Sequence, residues 1–236
     1  MTDTSDHRPP ERADCLQAGL YVDSGSDAVR RFTLDALESA KATTDTQKAV
    51  ALYNAVRDGF RYNPYSISMR AEDYKASHIV KTQSAYCVPK AILLTACLRA
   101  AGIPAAVGFA DVRNHLNSPK LAELMGSDLF IYHGYVQLWL GDSTFKVTPA
   151  FNSEMCERFG VKPLDFDGTA DALFHEYDAD NRRHMEYVND RGIYQDPPIV
   201  EILSTFKAFY PRLAEFAAGA SRQGQEPVDA AFLGNG

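Results

Sequence analysis

The chain has no paired cysteines: its four, Cys15, Cys87, Cys97 and Cys156, lie far apart with no C-x-x-C among them. That spacing argues against a structural zinc site and against a disulfide framework. A basic excess is missing too. With a net charge of -7 and a pI near 5.4, no positive stripe is available for a phosphate backbone, so nucleic acid is not an expected partner. No apolar run is long enough to span a bilayer, and Met1-Thr-Asp-Thr-Ser-Asp-His-Arg-Pro-Pro10 has no apolar stretch behind a basic start. The expectation is therefore no membrane partner and a cytoplasmic location. No glycine-rich loop follows a strand, which leaves nucleotide binding without support, and no internal repeat occurs.

Metal ligation finds little support. Asp178-Ala-Asp180-Asn181 opens like a calcium loop, but its glycine and final glutamate positions hold Arg183 and Asn189. His175 and His184 have no cysteine or carboxylate at a spacing that completes a zinc set. Neither a metal nor an organic cofactor is expected.

What is present suits one catalytic domain: 236 residues, 45% of them hydrophobic, can bury a large core. The expected division is a loose N-terminal segment over 1–20, a single domain over 21–215 and a loose tail over 216–236, because both ends are polar and lose periodicity. Apolar spacing predicts helices over Ser26 to Thr43 and Asp45 to Phe60, the second with Thr44 and Gln47 as a capping box. A third runs from Cys87 to a stop at Gly102 and Pro104, with Pro89 in its first turn. Downstream the period changes. Ala105 to Ala110 reads as a buried strand, Ile131 to Leu140 as an alternating strand, and Phe145 to Thr148 as its return after Gly141-Asp-Ser-Thr144. The last third mixes short helical stretches and charged loops, with a helix over Pro198 to Phe209. The fold class is α+β: a helical N-terminal part whose cysteine helix packs on an antiparallel sheet.

Cys87 is the candidate nucleophile. At a helix start the unpaired N-H groups and the helix dipole favour a thiolate over a thiol. Cys97, deeper in the same helix, fits a small buried hydrophobe. A cysteine nucleophile needs a base, and His133, in a strand beside Gly134, is the best placed; Gly134 would leave room for a substrate backbone. His115 is its competitor, whereas His7, His78, His175 and His184 lie in less suitable sequence. Gln83, just upstream, could donate to an oxyanion, although a solvated loop glutamine reads equally well, and Tyr86 serves either substrate binding or packing.

The cysteine helix with its Leu98-Arg-Ala-Ala-Gly-Ile-Pro-Ala105 ending, the His133-Gly-Tyr-Val-Gln-Leu-Trp-Leu140 strand, the return Phe145-Lys-Val-Thr-Pro-Ala-Phe-Asn152 and the Asn54 to Tyr62 helix running into Arg-Tyr resemble the transglutaminase-like superfamily over about residues 45 to 152. The resemblance implies a papain-like fold and a Cys-His-Asp triad for acyl transfer, with Cys87 as nucleophile and His133 as base. At the aspartate position stands Thr148, whose hydroxyl can accept from an imidazole N-H but carries no charge. Asn152, Asp111 and Asp167 are the alternatives for the third member.

The reading is attack of Cys87 on an amide, ester or thioester carbonyl, with its backbone N-H on the oxyanion and His133 moving the proton, to give an acyl-enzyme. Water, an amine or a carbanion as second reactant would make a peptidase or amidase, a transamidase or a cyclase. The expected partner is a peptide, a protein or a small acyl or amide substrate. The alternative, motivated by Thr148, is a catalytically weak or inactive domain that binds a peptide or protein in the same groove.

Overall fold

Local signals at helix ends decide where the first elements begin. In the computed structural model, which describes residues 8–114, 118–158, 160–173 and 185–223, Ser26 caps helix α1 (Asp27–Ala40) through its side chain. Thr44 and Gln47 form the reciprocal capping box of α2 (Asp45–Gly59). A two-residue strand β1 (Arg61–Tyr62) follows, then α3 (Ala76–Ile79) and β2 (Ser84–Ala85), which pairs in parallel with β1. Helix α4 (Cys87–Ala100) is buried on every side from Cys87 to Arg99, so it is the central rod rather than an amphipathic surface helix. It ends as its sequence requires. Gly102 takes a left-handed φ of 82°, and the Ile103 N-H returns 2.9 Å to the Leu98 carbonyl.

The sheet then builds by antiparallel pairing in the order β5-β4-β3-β6, from β3 (Ala105–Asn114), β4 (Leu129–Leu140), β5 (Ser143–Val147) and β6 (Met185–Tyr194). Helix α5 (Pro119–Met125) lies between β3 and β4, and α6 (Ser153–Arg158) follows β5. Val107, Phe109, Val136 and Leu138 join the α4 core, while Ala106, Ala110, Val112 and Tyr135 on the opposite face enclose Cys15. Helices α7 (Ile199–Phe209) and α8 (Pro211–Gln223) close the chain, giving eight α-helices among the described residues. This is an α+β fold.

Three expectations change. Residues 14–22, placed partly in a loose N-terminal segment, are fastened: Cys15 is fully buried, and Asp196 accepts the backbone N-H groups of Leu20, Tyr21 and Val22 at 2.8–3.2 Å. Arg99 adds a clamp, donating to the carbonyls of Ala105, Gln17 and Gln195. At the other end α8 runs past residue 215 to Gln223 with Ala217 buried, because its apolar face packs on α5 and α7. The charged stretch after residue 184 is the long strand β6, whose pairing with β3 is interrupted by two register shifts. The calcium-like stretch from Asp178, with His175 and His184, lies outside the described residues, as do His7 and His115.

Candidate active site

Cys87 opens α4. Tyr86, extended at φ -93° and ψ -174°, turns the chain from β2 into the helix, and the pairing of Tyr62 with Ala85 sets the Tyr62 strand beside that turn. Asn152 holds the same strand, its side-chain oxygen accepting the Tyr62 N-H at 3.1 Å. From the other side β4 comes down on the helix. Gly134 lies against its first turn, where a Cβ would meet the Val88 Cα at 2.9 Å and the Cys87 carbonyl oxygen at 3.0 Å. The room at Gly134, expected to admit a substrate backbone, is thus filled by α4 itself.

His133 precedes this contact and pairs across the sheet with Ala110. Just before it β4 carries an extra residue, so that Ile131 and Tyr132 together oppose Asp111, and Tyr132 takes φ 54°. A left-handed conformation is costly for a tyrosine and persists only where its surroundings enforce it. Here Asp111 accepts the Tyr132 N-H at 3.1 Å, the Arg191 guanidinium bonds to Asp111 and lies 4.2 Å over the Tyr132 ring, and the Tyr132 hydroxyl donates to Glu201 at 3.0 Å. The strand is bent and pinned next to the histidine.

Cys87 and His133 line one cavity of about 40 Å³ together with Tyr62, Tyr86 and Tyr132. No hydrogen bond joins the two side chains among the described residues. Burial pushes the Cys87 thiol up to about 11, against the pull of the Gly134, Val88 and Cys87 N-H groups, which favour the thiolate. The thiolate expected from the helix start is therefore not the resting form: desolvation of a thiol that is 7% exposed outweighs the helix end.

Other sequence candidates fall elsewhere. Gln83 is exposed and absent from the cavity wall, its carbonyl holding the Arg61 N-H, because the β1–β2 pairing turns it outward. Tyr86 lines the cavity, but its hydroxyl is hydrogen-bonded to that of Tyr74 at 2.8 Å. Thr148 is buried outside the cavity lining, and its Oγ1 has no hydrogen-bond partner among the described residues. Asn152 is likewise outside it, engaged on Tyr62. Asp111 serves the bulge, and exposed Asp167 caps Thr169 in a turn.

Tyr62 is the side chain that sequence reasoning did not single out. Burial and the nearness of Cys87 hold its phenol well above the usual range, and its hydroxyl has no hydrogen-bond partner among the described residues. The Arg61-Tyr62 pair is the only sequence signal for it.

The family comparison matches residues 35–149, the stretch that carries the cysteine opening the central helix and the histidine strand laid on its first turn, to the transglutaminase-like superfamily. Residues 35–149 form a transglutaminase-like core. The match starts within α1 and ends at Pro149, so it takes in Cys87, His133 and Thr148 but not α7 or α8. Comparison with curated proteins finds no match. Phe206, Tyr210 and Leu213, which complete the cavity, come from outside the transglutaminase-like core.

Proposed function

We propose that Cys87 and His133 perform acyl transfer or hydrolysis through a thioester acyl-enzyme. The transglutaminase-like superfamily is one of cysteine-dependent hydrolases and acyltransferases. The observation that carries the reading here is that the Cys87 thiol, at the start of α4 and facing the backbone N-H groups of Cys87, Val88 and Gly134, shares its cavity with His133.

Because the resting sulfur keeps its proton, the base must act during attack. As the S-C bond forms, the S-H proton passes to the His133 imidazole and the carbonyl oxygen becomes an oxyanion, with the Cys87 N-H and the Tyr62 hydroxyl as its donors. Collapse breaks the bond to the leaving group, which takes the proton from the imidazolium. Water or an amine then attacks the thioester, His133 accepts its proton, and the acyl product leaves with the thiol restored.

p-Nitrophenyl acetate and intact-mass analysis test this. The expected result is one acetyl group on Cys87 with a matching burst of nitrophenolate, none on the Cys87→Ala variant, and acetylation at least tenfold slower in His133→Ala. Acetylation elsewhere, or a rate unchanged by His133→Ala, overturns the reading. The second reading, a peptide-binding domain without catalysis, draws on Thr148 in place of the aspartate; it requires no acyl-enzyme together with retained peptide binding.

A further inference from the structure

Beyond the reacting atoms the cavity has a chemistry of its own. Its wall away from Cys87 is made by Leu121 and Met125 of α5, Phe130 of β4, Phe206 of α7, and Tyr210 and Leu213 after it. No Asp, Glu, Lys or Arg lines it among the described residues. The tyrosine hydroxyls on it are directed away: Tyr86 to Tyr74, Tyr132 to Glu201, and Tyr210 to the Leu129 carbonyl at 2.6 Å and the Ile131 N-H at 2.8 Å. Among these tyrosines only the Tyr62 hydroxyl has no hydrogen-bond partner among the described residues, and it stands beside Cys87, where the substrate carbonyl reacts. Nothing in the remaining wall could satisfy a polar or charged acyl group, and burying one without partners is unfavourable.

We propose that this cavity is an acyl pocket selecting short, uncharged aliphatic acyl groups, a proposal that rests on the acyl-transfer reading above. Size sets the length. About 40 Å³ accommodates about three water-sized groups, which matches a chain of about three to four carbons, so that a longer chain reaches beyond this space. The selecting wall belongs partly to α7 and α8, outside the transglutaminase-like core.

Two measurements on the full chain test the pocket. Acylation of Cys87 by p-nitrophenyl acetate, butyrate, hexanoate and octanoate should rise about fourfold per added methylene up to butyrate and fall beyond it. The p-nitrophenyl hemisuccinate should react at least tenfold more slowly than the butyrate, and Met125→Ala should move the optimum to hexanoate or longer. A flat length profile, or a preference for the charged donor, overturns the proposal. Independently, butyramide added to the Cys87→Ala variant should shift the Met125 methyl resonance, whereas succinamate should not; no shift with butyramide also overturns it. Butyramide binding without acylation by any ester upholds the pocket and sinks the acyl-transfer reading, so the two fail separately.

Discussion

Gly134 and Val88 touch backbone to backbone: a Cβ on Gly134 would stand 2.9 Å from the Val88 Cα. This contact brings the N-H of Gly134 to the Cys87 sulfur and puts His133 on the same cavity. Gly134→Ala forces β4 and α4 apart, since the obstructing atoms are backbone and cannot rotate away. Destabilisation of about 1–3 kcal/mol is expected by urea titration. Acylation of Cys87 should fall by more than tenfold in protein that remains folded, because the sulfur loses a donor that favours its deprotonation during attack and the base is displaced.

Lys90, one turn after Cys87, has no exposed surface and donates to the Arg57 and Phe60 carbonyls at 2.7 and 2.6 Å, fixing the end of α2 where the chain enters β1. Burial lowers its pKa to about 7. Below that pH both folded and unfolded chains carry the ammonium and the burial penalty is present in full. Above it the folded side chain sheds its proton while the unfolded one keeps it to about pH 10, so stability rises with pH. Cys87, Cys97 and Cys156, raised to about 11, 12 and 11, act in the opposite sense above about pH 9, since their unfolded thiols ionise first. Wild type should therefore gain up to about 1.4 kcal/mol per pH unit between pH 7 and 8.5, and Lys90→Met should lose that slope. Urea midpoints at pH 6, 7, 8 and 8.5 decide it.

Tyr62→Phe removes only a hydroxyl that makes no hydrogen bond within the described residues, so stability should change by less than about 0.5 kcal/mol. If the hydroxyl meets the oxyanion, acylation should slow by about 10- to 100-fold with little change in substrate affinity. An equal effect on KM, or none on rate, argues against that role.

Elements written in local sequence were the legible ones. The capping box at Thr44 and Gln47, the cysteine opening α4, the Gly102 stop and the β4–β5 hairpin follow from spacing and end signals, and the structure has them within a few residues. Strand β6 was not legible, because it is held by long-range pairing to β3 and its mid-strand residues are exposed. The site divides the same way. Cys87 could be read from its helix start and His133 from its strand, whereas Tyr62, the bulge at Tyr132 and the apolar wall from α7 and α8 arise only when distant segments meet. Burial raising the Cys87 thiol is likewise invisible to a rule about helix ends.

Asp111 ties the bulge to β6 through Arg191, with side chains only 8% and 18% exposed. Asp111→Ala leaves a guanidinium in a largely buried place and frees the strained Tyr132, so a loss of about 3 kcal/mol is expected. The Asp111→Ala/Arg191→Ala double variant should recover part of that stability, since it removes the unpaired charge. It should not recover acylation, because Tyr132 and the adjacent His133 stay unpinned. Recovery of both would reduce Asp111 to a partner for Arg191 alone. Thermal melts and Cys87 acetylation rates on the three proteins separate these outcomes.

Thr148 stands where the resemblance implies an aspartate, and it offers a direct test of whether that position reaches His133. Val147, the residue before Thr148, pairs with Val136, three residues from His133. The Thr148 hydroxyl is buried without a partner among the described residues, so replacing it breaks no observed bond. A carboxylate there would be unfavourable alone but stabilised whenever His133 is protonated, which is the state formed during attack. Thr148→Asp should then raise the rate of Cys87 acylation by about tenfold or more, while destabilising the resting protein by burying a carboxylate. Thr148→Asn, of similar size without the charge, should leave the rate within about threefold of wild type. Equal rates for the aspartate and asparagine variants would mean that position 148 does not reach the imidazole, and that His133 is oriented from another strand.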